Sequence, residues 1–179
     1  SEETAKLIHE NKIVGWFQGR MEVGPRALGA RSILANPTSA HMKDAVNNNV
    51  KFRESWRPFA PSILAEHIEE YFGTKHLSPF MILAFEAQEQ VKEKIPAALH
   101  VDGTGRPQTV ERETNPRYWD LINEFKKLSG VPVVLNTSFN VAGQPIVCTP
   151  KDALGTFYIC GLDALAIGDF IVEKGTRSG

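Results

Sequence analysis

Residues 115–140 read NPRYWDLINEFKKLSGVPVVLNTSFN, and this stretch decides the fold class. Asn115 is a capping residue, Pro116 suits a first helical turn, and Tyr118, Leu121, Ile122, Phe125 and Leu128 recur on one face. That spacing predicts a helix over 117–129. Gly130 can leave a helix in the left-handed region and so stops it. The run VPVVLN follows at once, short, dense and β-branched, and reads as a central strand.

Outward from this pair the same order recurs. Ala5, Leu7 and Ile8 among charged neighbours predict an opening helix over 2–11, and Ile13–Phe17 a short strand. A second helix is expected over 39–50 behind Ser39 as N-cap. The run MILAFEA at 81–87 is apolar enough for a buried strand. Thr149 and Pro150 open a helix running to about Ile159, and ALAIGDFIV at 164–172 supplies a final strand. Helices alternating with apolar strands indicate an α/β (α+β) domain with a mixed sheet, and residues 1–179 fit one domain.

Composition narrows the chemistry. Hydrophobic residues make up 42% and charged residues 23%, the balance of a folded domain. With 20 basic against 21 acidic residues the chain has no global field to draw nucleic acid or an anionic membrane, so any anion site must be a local cluster. No apolar run approaches the ~20 residues that cross a bilayer, and SEETAKLIHENK is too polar for a signal peptide. Cys148 and Cys160 are therefore read as reduced thiols of a cytoplasmic protein. The five histidines are scattered and no Cys-x-x-Cys occurs, so no metal held by side chains alone is expected.

Four stretches carry candidate chemistry. QGRMEVGPRALGARSIL at 18–34 sets three glycines and three arginines between apolar runs, as a structural turn or as a grip on carboxylate or phosphate. KFRESWRPFAPSIL at 51–64 places Lys51, Arg53 and Arg57 within seven residues. Either it is a solvated face, or its cations meet an anion while Trp56, Phe59, Ile63 and Leu64 anchor it to the core. Pro58 and Pro61 stiffen it, so Lys51 and Arg57 could address separate oxygens of a polyphosphate. HVDGTGRPQTV at 100–110 reads as a turn between strand-like segments with Arg106 just after it. VPVVLNTSFNVAGQPIV at 131–147 delivers Asn136, Thr137, Ser138 and Asn140 at a strand end, where α/β sheets collect ligands; the other reading is a turn satisfying its own backbone. No Gly-x-Ser-x-Gly elbow occurs.

Taken together, GRMEVGPRALGARSIL, KFRESWRPFAPS, SPFM, HVDGTGRPQTV, NPRYW, GVPVVLNTSFNVAGQPIV and DALAIGDFIV resemble the C-terminal domain of the O-carbamoyltransferases, the family of the nodulation carbamoyltransferase and of the aminoglycoside carbamoyltransferase of tobramycin biosynthesis. The resemblance runs over about residues 15–173. It implies a YrdC-like twisted mixed sheet with packed helices, forming the second part of a larger enzyme. In that family this domain takes carbamoyl phosphate and ATP with Mg²⁺ and forms carbamoyl adenylate. A preceding Kae1-like domain with an iron site then moves the carbamoyl group to an acceptor hydroxyl. The polar start and the lack of His-x-x-x-His spacing agree with a chain that lacks that domain. Residue by residue, the resemblance places the adenylate pocket at Arg26, Lys51, Arg57, Met81, Arg106, Asn136 and Ser138, with Lys51, Arg57 and Ser138 in catalytic roles. A threonylcarbamoyl-adenylate synthase shares the expected fold, but GPRALG and LNTSFN resemble the carbamoyltransferase branch. An RNA-binding module and a purely structural interaction domain are the remaining alternatives, and the near-neutral charge argues against the first.

Overall fold

The computed structural model describes residues 1–54 and 56–174. Along the chain run α1 (Glu2–His9), β1 (Val14–Phe17), β2 (Arg31–Ala35), α2 (His41–Val46), β3 (Ala60–Leu64), α3 (Ile68–Phe72), β4 (Phe85–Glu86) and α4 (Glu89–Lys92). They are followed by β5 (Thr104–Gly105), β6 (Gln108–Val110), α5 (Pro116–Ser129), β7 (Val133–Ser138), α6 (Pro150–Ile159), β8 (Ala164–Ile167) and β9 (Phe170–Glu173).

Strand β7 is an interior strand of a seven-stranded mixed sheet ordered β6-β3-β7-β2-β1-β8-β9. It runs antiparallel to both neighbours, Asn136 standing opposite Leu34 on one side and Ala60 on the other. The β3–β6 and β1–β8 pairs are parallel. Both faces are covered. Trp16, Leu34, Tyr118, Leu121, Ile122 and Phe125 pack in one core layer, and Phe17, Ile33, Leu135, Phe139 and Phe157 in the other. Interior strands with two buried faces need the near-continuous apolar runs that VPVVL and ALAI provide.

Helix α5 forms as its sequence predicts. The Asn115 side chain accepts from the Tyr118 amide, Pro116 is its first residue, and Gly130 leaves it at φ 76°. Helix α6 begins with a capping box in which Thr149 and Asp152 each accept from the other's amide. Among the described residues no helix is long and apolar enough to cross a membrane. Both cysteines are free, Cys148 exposed and Cys160 buried.

Five local expectations are corrected. The run 81–87 is no buried strand: Met81 sits at φ 54°, which breaks an extended backbone, Ile82 and Leu83 are exposed, and Phe85–Glu86 alone pairs, with Thr104–Gly105. Residues 164–172 form two strands, because Gly168 at φ 55° turns the chain into a β8–β9 hairpin. The helix expected over 39–50 is capped at Ala40 and passes at Asn47 into a π-turn through Lys51, ended by Phe52 at φ 47°. Trp56 is exposed, so Phe59, Ile63 and Leu64 anchor its segment without it. Leu128 likewise is exposed, in the last turn of α5.

The Gly-rich loop between β1 and β2 is held from within. One carboxylate oxygen of Glu22 accepts from the amides of Leu28 (2.7 Å), Ala30 (2.7 Å) and Arg31 (3.1 Å). The Trp16 indole donates to the Gly29 carbonyl at 2.9 Å. Arg31 is consumed structurally, donating to the carbonyls of Gln18, Gly19 and Ala30 with its guanidinium 3.5 Å from the centre of the Phe17 ring. Gly29 has φ +99°, and a Cβ there would stand 2.3 Å from the Tyr118 ring. Gly29→Ala is therefore expected to lower stability by about 2–3 kcal/mol through strain and overpacking, measured by urea denaturation. An unchanged midpoint would show that the Gly29–Tyr118 contact is not close-packed.

Candidate functional site

The polar end of β7 opens into a cleft of about 360 Å³. Asn136, Thr137 and Ser138 form its floor, and Pro25, Arg26 and Ala27 of the Gly-rich loop form one wall. Arg53, Arg57 and the Pro58–Ala60 run form another wall, with Met81 and Arg106 completing the rim. A smaller hollow of about 240 Å³ adjoins it, sharing Arg53, Arg57 and Ser138 and adding Lys51 and Asn140.

Four guanidinium groups line the cleft, and no carboxylate is among its described lining residues. The Arg53 Nε donates to Asn47 Oδ1 at 2.8 Å, and its guanidinium lies 4.8 Å from the centre of the Phe59 ring. Arg26, Arg57 and Arg106 have no side-chain hydrogen bond or ion pair to the described residues, and the Arg106 Nε is buried without an acceptor. Burial, then the neighbouring Arg26, pushes the Arg106 pKa down; burial, then Arg57, does the same to Arg53. Cations gathered around a space with no opposing carboxylate among its described lining residues are stabilised by a bound anion.

Lys51 is buried at the junction of cleft and hollow. Its Nζ donates toward the Ser138 carbonyl (2.6 Å), Ser138 Oγ (3.2 Å), the Asn140 carbonyl (3.0 Å) and Asn140 Oδ1 (2.8 Å). Ser138 Oγ in turn donates to Asn140 Oδ1 at 2.6 Å. Burial first, then Arg53, lowers the Lys51 pKa to about 7.

Of the seven residues placed in the pocket by resemblance, Arg26, Arg57, Met81, Arg106, Asn136 and Ser138 line this cleft, and Lys51 lines the adjoining hollow. Their elements are far apart in sequence and meet because β3, β7 and β2 are neighbours in the sheet. Arg53 and Asn140 join the site without the resemblance placing them there. Arg53 was visible only as a member of the cation cluster, and Asn140 only as one polar residue of a strand end. Among the described residues, two of the three non-glycine residues with positive φ, Phe52 and Met81, flank the site. Such strain is sustained where surrounding packing fixes functional geometry. His100 is tied to Thr104 Oγ1 at 2.9 Å and lines neither space. Among the described residues no three His, Cys, Asp or Glu side chains converge as a metal site.

Residues 5–174 match the family described as Carbamoyltransferase C-terminus. Nodulation protein NolO of Bradyrhizobium diazoefficiens is 52% identical over 174 residues, covering 95% of this chain and 32% of that protein. Nodulation protein NolNO of Sinorhizobium fredii is 47% identical over 177 residues, 97% of this chain and 26% of that one. The chain thus spans about a third or less of the length of these relatives. Among solved structures, full-length HypF in a phosphate- and nucleotide-bound form superposes with a TM-score of 0.64 at 17% identity, over 94% of this chain and 24% of that one. P. abyssi Sua5 complexed with L-threonine gives 0.62 at 16%, over 93% and 46%. At such identity the likeness is one of fold, and it makes the α/β sheet YrdC-like.

The depressed pKa of Lys51 has a thermodynamic consequence. Its folded value of about 7 lies below the ordinary lysine value of 10.5, so between these limits the unfolded chain binds more protons than the folded one. Stability from this group is lowest below pH 7 and rises toward pH 10.5. Urea denaturation across that window should show wild type gaining stability relative to Lys51→Met as pH rises. Parallel pH profiles would mean that Lys51 keeps its proton on folding.

Proposed function

Since the chain belongs to the carbamoyltransferase family, through its C-terminal domain, we propose that it binds ATP and carbamoyl phosphate and forms carbamoyl adenylate, which a Kae1-like, iron-bearing domain of the same protein passes to an acceptor hydroxyl. The observation that carries this reading is the convergence of Arg26, Arg57 and Arg106, all without partners among the described residues, on one cleft lined by no described carboxylate. An unopposed set of guanidinium groups suits a polyphosphate, whose oxygens accept their forked donors.

The chemistry divides into two balanced steps. Water cleaves carbamoyl phosphate to carbamate and phosphate. A carbamate oxygen then attacks the α-phosphorus of ATP, the bond to the β-phosphate oxygen breaks, and pyrophosphate leaves. Negative charge builds on the α-phosphate and on the departing pyrophosphate, where preorganised cations in a water-poor site act most strongly. Arg57 serves these phosphates directly while Lys51 acts from beneath through Ser138 and Asn140, Arg26 and Arg106 hold the rest of the anionic ligand, and Ser138 Oγ, its proton given to Asn140 Oδ1, presents a lone pair at the cleft floor. Mg²⁺ would come with ATP as its substrate complex and would offset phosphate charge, since the described lining residues include no carboxylate to hold it.

In the chain supplied with ATP, carbamoyl phosphate and Mg²⁺, mass spectrometry of a single turnover should find carbamoyl adenylate and pyrophosphate. Product formed instead from threonine and bicarbonate would replace this reading with a threonylcarbamoyl-adenylate synthase. Arg57→Ala should keep the fold and weaken binding of ATP or an adenylate analogue by about 1.5–3 kcal/mol, the worth of a charge-assisted phosphate contact, and Lys51→Ala should weaken it at least as much, by loosening the segment that carries Arg57. Wild-type affinity in both folded variants would remove these residues from the site.

A further inference from the structure

Behind the cleft three buried polar side chains lie side by side on adjacent strands: Gln108 on β6, Ser62 on β3 and Asn136 on β7. Their hydrogen bonds have only one consistent direction. Gln108 Nε2 donates to the Leu28 carbonyl at 2.8 Å, and a backbone carbonyl can only accept. The Gln108 amide is thereby fixed with Oε1 toward Ser62, whose hydroxyl donates to it at 2.8 Å. Ser62 Oγ then has lone pairs left to accept. Asn136 Nδ2 supplies the protons, lying 2.9 Å from Ser62 Oγ, 3.1 Å from the Ala27 carbonyl and 3.2 Å from Gln108 Oε1.

Turning the Asn136 amide over would set its oxygen against the Ala27 carbonyl and Gln108 Oε1, acceptor against acceptor. The two carbonyls of the Gly-rich loop, at Ala27 and Leu28, thus fix both amides. What remains is Asn136 Oδ1, a buried acceptor without a partner on a side chain that lines the cleft. An unsatisfied buried acceptor is costly and calls for a donor from whatever fills the space.

We infer that Gln108 and Ser62 are positioning residues that hold Asn136 as an acceptor-only contact, so that the cleft selects a ligand end bearing an N–H donor, such as a carbamoyl NH2, over an isosteric end that has none. This rests on the carbamoyl adenylate reading above and adds what distinguishes the carbamoyl end from an acyl end of the same shape. Neither Gln108 nor Ser62 lines the cleft, so their effect passes through Asn136.

Two stable analogues differ only at the group in question: 5′-O-(N-carbamoylsulfamoyl)adenosine ends in NH2, and 5′-O-(N-acetylsulfamoyl)adenosine ends in CH3. Calorimetry on the chain should find the carbamoyl compound bound about 10- to 100-fold more tightly, the effect of satisfying or stranding one buried acceptor. In Gln108→Leu, and in Ser62→Ala should the first variant fail to fold, that ratio should fall toward one while affinity for AMP is kept. A purely structural role would move AMP and both analogues together and would overturn the inference. Equal affinity of wild type for the two analogues would also overturn it, a trapped water then satisfying Oδ1, and would leave the nucleotide reading intact. Failure of wild type to bind AMP, ATP or either analogue would defeat the nucleotide reading itself.

Discussion

The amine of Lys51, buried among four oxygens of Ser138 and Asn140, is the contact on which the rest of the site depends. It fastens the segment after α2 to the polar end of β7, across 87 residues of sequence. Arg53 and Arg57 consequently reach the same cleft. A primary amine suits this task because it can turn three donors toward acceptors of any orientation. A guanidinium, with its fixed planar fork, could not meet two carbonyls and two side-chain oxygens from one point.

The cleft joins two kinds of polar group that the fold handles in opposite ways. The amides and hydroxyl of Gln108, Ser62 and Asn136 are neutral and are buried on three neighbouring strands of the sheet, where their mutual hydrogen bonds offset desolvation. The guanidinium groups stand at the mouth, on loops and strand flanks, where water or an anion can reach them. The directional layer therefore lies beneath the charged one. A ligand entering this site meets cations at its phosphates and a fixed acceptor deeper in. The left-handed backbones of Phe52 and Met81 stand beside this lining, Phe52 next to Arg53 in the chain and Met81 itself at the cleft.

The family relation and the fold likeness bear on different parts of this account. Identity of 52% with NolO over nearly the whole chain places the sequence in the carbamoyltransferase family. The likeness to HypF and Sua5, at 17% and 16% identity, concerns the sheet and its helices. The chain corresponds to about a third or less of the length of its nodulation relatives.

Much of the local structure was legible in the sequence, because it arises between residues close in the chain. The Asn115 cap, the 3.6-residue recurrence through α5, the Gly130 stop and the apolar density of β7 each depend on neighbours within a few positions. Where local pattern misled, as at 81–87, a single backbone turn at Met81 outweighed a run of apolar side chains. The motifs also brought Arg26, Lys51, Arg57, Met81, Arg106, Asn136 and Ser138 together by resemblance, without any spacing that would have grouped them on physical grounds. Only the tertiary structure decided that Lys51 is buried against Ser138 and Asn140, that Arg53 shares the cleft, and that Asn136 is held with its oxygen unpaired. These depend on the adjacency of β6, β3, β7 and β2, which is set by the burial of two sheet faces at once, and hydrogen-bond direction across strands has no counterpart in the order of residues along one of them.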